Sequence, residues 1–241
     1  MLKHQNIFNF CPDDRIDDCG IVASVTKKDP LTILFGSQAR VKLLRFFLFN
    51  PSRAFTFDEI SKRAKLVRRT ARTEINSLER AGVIKKRQAY VQLPGREKKT
   101  RAVGYILNDK FPELNALQTF FFETAPTDGK TVLGHLRKAG KLDFVVAAGV
   151  FVKNFDNRLD ILVSMKKLDQ PKVETAIRSL ESELGIEIRY AAFSSEDLLY
   201  RVGMYDKLTR DVFDYPHIVL ADRIGVGDEL PDGGLLYRKN S

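Results

Sequence analysis

The sequence predicts a mixed chain, α/β in class and α+β overall, built from two unlike parts. Three observations lead there. Residues 31–110 carry 19 Lys and Arg against 6 Asp and Glu, a balance of +13, whereas residues 1–30 balance to −1 and residues 111–241 to −3. Within the basic part, helical periodicity gives way to two runs of strand character joined by a Pro-Gly turn. Beyond residue 128, strand-like apolar runs alternate with amphipathic helical ones, the pattern of an α/β unit. The expected organisation is an N-terminal extension over 1–30, a basic domain over 31–110, a connecting helix and linker over 111–127, an α/β domain over 128–223 and a tail over 224–241. No apolar run reaches membrane-spanning length and the N-terminus has no signal-peptide pattern, so a cytoplasmic protein without a membrane partner is expected. Cys11 and Cys19, the only cysteines, stand in an acidic stretch with neither a metal-binding pattern nor a disulfide framework.

The elements follow in order. In "LFGSQARVKLLRFF" (34–47) the Gly-Ser imitates a phosphate-binding turn. The next carboxylate, however, is Asp58, so no metal ligand follows it. Ser37 reads as a helix N-cap, and Val41, Leu44 and Leu48 recur at helical spacing. Thr56 and Glu59 form a capping box for a short helix from Phe57 to about Ala64. After a tight turn, "VRRTARTEINSLERAG" reads as a longer helix ending at Gly82. Ala71, Ile75 and Leu78 make its core stripe, which at 100° per residue gathers Arg69, Arg72, Thr73, Asn76 and Arg80 opposite. Arg, Asn and Thr suit phosphates and base edges.

Two strands follow, "GVIKKRQAYVQ" and "RAVGYIL". The connection "LPGREKKT" loads the hairpin tip with Arg96, Lys98 and Lys99, and Arg101 follows it. A basic hairpin after two helices and a tight turn resembles the winged helix-turn-helix domain of bacterial and archaeal regulators, of the broad kind that includes the ArsR and MarR families. The residues carrying the resemblance are "FTFDEISKRAKLVRRTARTEINSLERAGVIKKR", and it covers 34–108. It implies that the helix from Arg68 to Leu78 enters the major groove of double-stranded DNA and that the hairpin contacts backbone or minor groove. Such regulators pair to read two half-sites, which implies a homodimer.

In the second part, "FPELNALQTFFFET" is expected to be a helix and "APTDGK" a linker. A helix near Thr131–Lys138, strands "LDFVVAAGVF" and "RLDILVSM", a helix with Val173, Ile177 and Leu180 on one side, a strand "IEIRYAAF", one helix over "SSEDLLYRVGMYDKLTRDVFD" and a strand "HIVLAD" follow. The stretch "VVAAGVFVKNFDNRLDILVSM" resembles the core of a minimal nucleotidyltransferase of the DNA polymerase beta superfamily, over roughly 128–222. That family's Gly-Ser turn aligns with Gly149-Val150, and its Asp-x-Asp pair with Arg158-Leu159-Asp160. The resemblance therefore implies a nucleotide site, Gly149, Arg158 and Asp160, that has lost its metal-binding pair. Glu187 and Arg189 occupy the strand of the third carboxylate without a secure match. Strand alternation puts Arg158 and Asp160 on one face, where they are expected to pair. A guanidinium there repels Mg²⁺.

The sequence is thus read as a sequence-specific, DNA-binding transcriptional regulator, associated with the nucleoid. Its nucleotidyltransferase-like domain serves sensing, dimerisation or partner binding, with no catalytic residues, metal or cofactor. Two alternatives stay open. One is an active nucleotidyltransferase using Asp143, Asp156, Asp160 or Glu187 in a rearranged site. The other is an antitoxin-like module that binds a protein partner; in the main reading a surviving pocket of the second domain still binds a nucleotide without turning it over.

Overall fold

The computed structural model describes residues 29–91, 100–154 and 156–229, without the side chains of 89–91, 100, 228 and 229. Cys11, Cys19, Arg96, Lys98 and Lys99 lie outside the described residues. The chain is mixed helix and sheet. Its first half runs α1 (Pro30–Leu34), α2 (Gln38–Phe49), β1 (Phe55–Thr56), α3 (Phe57–Arg63), α4 (Arg68–Arg80), β2 (Ile84–Val91), β3 (Thr100–Leu107) and α5 (Leu114–Glu123). Ser37 caps α2 by accepting from the Arg40 N–H. The Thr56–Glu59 capping box at α3 is complete in both directions. The three strands form one antiparallel sheet in the order β1-β3-β2. Leu43, Phe47, Phe55, Ile60, Ile75 and Phe121 are buried in one cluster between α2, α4, α5 and this sheet.

The second half runs α6 (Gly129–Leu136), β4 (Phe144–Ala147), β5 (Ile161–Met165), α7 (Gln170–Leu184), β6 (Tyr190–Ser194), α8 (Ser195–Gly203), α9 (Lys207–Asp214), β7 (Ile218–Asp222) and α10 (Val226–Glu229). The sheet order is β6-β5-β4-β7. Only β5–β6 is parallel; β4 pairs antiparallel with both β5 and β7. Strand alternation sends Val145, Ile161 and Val163 into a cluster with Val173, Ile177 and Leu180 of α7. Phe144, Val146 and Leu162 join Leu198 of α8 and Val212 of α9 on the other side. Both faces are covered, which is why β4 and β5 read as near-continuous apolar runs.

Five expectations need correcting. The strand expected over "IEIRYAAF" begins only at Tyr190, so Glu187 and Arg189 precede it. The strand expected over "LDFVVAAGVF" stops at Ala147, because Gly149 turns to φ +52 and opens a 3-10 turn, Gly149–Val152. The single helix expected over 195–214 is two. Asp206 accepts from the N–H groups of Leu208 and Thr209, capping a new helix, and Tyr205 takes φ +53 at the break. Helix α6 begins at Gly129 rather than near Thr131, so the expected linker is shortened. Finally, β5 begins at Ile161, so Arg158 and Asp160 precede the strand and strand alternation does not govern them.

The two halves meet where α2 crosses the end of α7. Gly185 ends α7 at φ +78, and a Cβ there would lie 2.6 Å from the backbone carbon of Arg45. Only glycine satisfies both the left-handed cap and that approach. Arg45, buried, donates to the Glu183 carbonyl and to Asp29 Oδ2. Asn50 Nδ2 donates to the Gly185 carbonyl at 2.8 Å.

Candidate nucleic-acid interface

Helix α4 buries Ala71, Ile75 and Leu78 against the first core and leaves Arg69, Arg72, Thr73, Asn76 and Arg80 exposed. Its two carboxylates are both engaged within the fold. Glu74 turns inward, 7% exposed, and accepts from Arg40 Nε of α2 at 2.9 Å. Glu79 Oε1 lies 2.8 Å from Lys86 Nζ of β2, and that hydrogen bond raises the lysine's pKa above its ordinary value. The outward face therefore presents cations and neutral hydrogen-bonding groups.

Aromatic stacking pre-orders two of the arginines. The Arg68 and Arg72 guanidiniums lie over the Phe57 ring at 5.3 and 4.9 Å, and Arg68 also pairs with Asp58 at 2.7 Å. Thr73 Oγ1 donates to the Arg69 carbonyl one turn back. Val67 stands at the N-cap of α4 and has no side chain that can cap it. The first-turn N–H groups suit an anionic oxygen.

The turn between α3 and α4 is tied to the second half. Lys65, at φ +51, donates from Nζ to Ser179 Oγ at 2.6 Å. Arg63 pairs with Glu187 at 2.9 Å. The hairpin adds Arg87 and Arg101, both exposed. In register, Arg87 stands opposite Gly104 and Arg101 opposite Tyr90. Arg96, Lys98 and Lys99, expected near Arg101, lie outside the described residues.

Two residues of this surface escape the sequence pattern. Val67 is 74% exposed beside Arg68 and Arg69. Its i−4 spacing to Ala71 signals a core position, but it lies outside the helix. Arg40 neutralises Glu74 from 34 residues away, with no local signal.

In the second half, Asp160 is 1% exposed and its oxygens are filled. Oδ1 accepts from the Val150 N–H at 3.1 Å and Arg189 Nη2 at 3.0 Å, and Oδ2 from the Arg189 N–H at 2.8 Å and Nε at 3.0 Å. The expected Arg158–Asp160 pair does not form. Arg158 Nε lies 2.9 Å from Asp211 Oδ2 of α9, and Asp160 takes Arg189 instead. Gly149 packs against the same carboxylate: a Cβ there would sit 1.9 Å from Oδ1.

The other carboxylates of a rearranged site are dispersed. Asp143 accepts from Ser195 Oγ at 2.6 Å, Glu187 is taken by Arg63, and Asp156 is exposed in a loop. Among the described residues, no group of three or more His, Cys, Asp or Glu is placed to hold a metal ion. Among the same residues, no helix is long and apolar enough to cross a membrane. Comparison with protein-family models, with curated proteins and with solved structures returns no match.

Proposed function

We propose that this chain is a sequence-specific DNA-binding transcriptional regulator, with a winged helix-turn-helix over 31–110 and a catalytically silent nucleotidyltransferase-like part over 128–223. The observation that carries the proposal is the outward face of α4. Arg69, Arg72, Thr73, Asn76 and Arg80 are exposed together, while both carboxylates of the helix are engaged elsewhere in the fold. A merely solvated helix face mixes both signs of charge; this one is left with cations and groups suited to base edges. The hairpin over 84–107 serves as the wing, with Arg96, Lys98, Lys99 and Arg101 on the backbone.

The protein works as a homodimer on two half-sites in the nucleoid. Ile33, Leu34 and Phe120, apolar yet exposed, offer a face for the second copy. The Asp160–Arg189 pairing supports a non-catalytic second part, since the carboxylate has no oxygen free for Mg²⁺. Lys65–Ser179 and Arg63–Glu187 connect that part to the turn in front of α4.

The test is selection of bound sequences from random or genomic DNA. Enrichment of one palindromic motif is expected. Recovery of DNA with no shared motif, or of none above background, contradicts a sequence-specific regulator.

A further inference from the structure

Between the two halves lies a half-open cavity of about 420 Å³. Leu48 and Phe49 of α2, Phe122 of α5, Val150, Leu184 and Ile186 give it apolar walls. The size and lining are those of a small-molecule pocket. Packed protein interiors leave few voids larger than a water.

Among the described residues, Lys153 supplies the cation of this wall. Its backbone sits at φ +57, a left-handed conformation uncommon for a side chain of this kind, at the end of the Gly149–Val152 turn. The turn places the side chain along the cavity, with Nζ 5.0 Å from the Phe122 ring centroid and 2.8 Å from Glu123 Oε2. The side chains of Lys153 and Glu123 are 45% and 62% exposed. An ion pair that exposed contributes little, so replacing Glu123 by a bound anion costs little.

We propose that this cavity binds a small amphipathic monoanion, with an apolar chain or ring against Phe49, Phe122 and Leu184 and one carboxylate or sulfonate on Lys153. The apolar walls select the body, and the ammonium selects the head. Because the walls come from α2, α5 and the end of α7, an occupant favours one arrangement of the halves. Its regulatory consequence, an effector-dependent change in DNA affinity, rests on the DNA-binding proposal; the site itself does not.

The test uses the full chain and the fluorescent probe 8-anilinonaphthalene-1-sulfonate, displaced by decanoate or by decanol. The expected result is saturable binding of one probe per chain, with decanoate displacing it at least tenfold more effectively than decanol. Lys153→Met should abolish that preference, and Glu123→Gln should strengthen decanoate binding a few-fold. Ala125→Trp should fill the cavity and weaken the probe at least tenfold. Thr119→Trp, at a more exposed wall position, serves if Ala125→Trp does not fold by circular dichroism. Equal displacement by decanoate and decanol, or unchanged probe affinity in the folded tryptophan variant, overturns the proposal. None of these readouts uses DNA, so they hold or fail independently of the regulator proposal.

Discussion

Arg189 holds both oxygens of Asp160, with Nε 3.0 Å from Oδ2 and Nη2 3.0 Å from Oδ1. Two backbone N–H groups, from Val150 and Arg189 itself, occupy what remains. The carboxylate is thereby a brace between the Gly149 turn and the start of β6. Metal-assisted transfer needs converging carboxylate oxygens with room for a cation. Here the positive charge is already covalently part of the chain.

The first expectation is chemical. Incubation with labelled nucleoside triphosphates, Mg²⁺ or Mn²⁺ and protein or RNA acceptors should give no transfer above a no-protein control. Titration calorimetry with Mg²⁺ or Mn²⁺ should give no heat that Asp160→Asn removes. Labelling by the wild type that Asp160→Asn abolishes would establish the enzyme reading instead.

The same pair predicts a stability pattern. Arg189→Ala leaves a buried carboxylate with backbone donors only; because the guanidinium is itself 48% exposed and screened by solvent, the expected loss is about 1–3 kcal/mol. Asp160→Asn combined with Arg189→Met should recover part of that loss, since no unpaired charge remains. Denaturant midpoints of the single and double variants measure both. Equal stability of Arg189→Ala and wild type contradicts the bracing role.

Gly185 joins the halves. Gly185→Ala introduces a Cβ 2.6 Å from the backbone of Arg45 and Phe46 at a left-handed cap. The overpacking alone is expected to cost about 1–3 kcal/mol, read as a lower melting temperature. Gly134→Ala, in the helical interior of α6 with open space around its Cβ position, should be neutral or mildly stabilising and serves as the control.

Glu183 gives a pH dependence. The hydrogen bond to His135 Nε2, 3.2 Å away, holds its carboxyl below the ordinary value of 4.5. A depressed carboxyl stabilises the fold fully above its unfolded value and loses that contribution as pH falls through the folded value. Wild type should therefore exceed Glu183→Gln in stability at pH 7, by about 1 kcal/mol, with the gap closing below pH 4.5. A gap that is constant with pH contradicts this.

Local physics was legible in the sequence. The Thr56–Glu59 box and the Ala71–Ile75–Leu78 stripe depend on residues three or four apart, and α3 and α4 lie where those signals place them. The misreadings involve distant partners or competing local signals. The sequence pairs Asp160 with Arg158, two residues away, but its partner is Arg189, and the Arg158 guanidinium reaches Asp211 on α9. The inward turn of Glu74 depends on Arg40, whose approach only the packing of α2 on α4 creates. The helical periodicity of 195–214 hid the break at Asp206, where a capping side chain outcompetes continuation of the helix. The cavity at Lys153 had no sequence signal, because its walls come from four separate segments.

The α4 face is tested most directly by comparing wild type with the Arg69→Ala/Arg72→Ala/Asn76→Ala variant on one selected DNA site, by fluorescence anisotropy across a salt series. Arg72→Ala or Asn76→Ala alone should each cost about 1–3 kcal/mol of specific binding. The triple variant should lose discrimination between the selected site and scrambled DNA and show a shallower salt dependence. Equal affinity and equal discrimination in wild type and a folded triple variant would contradict the central claim.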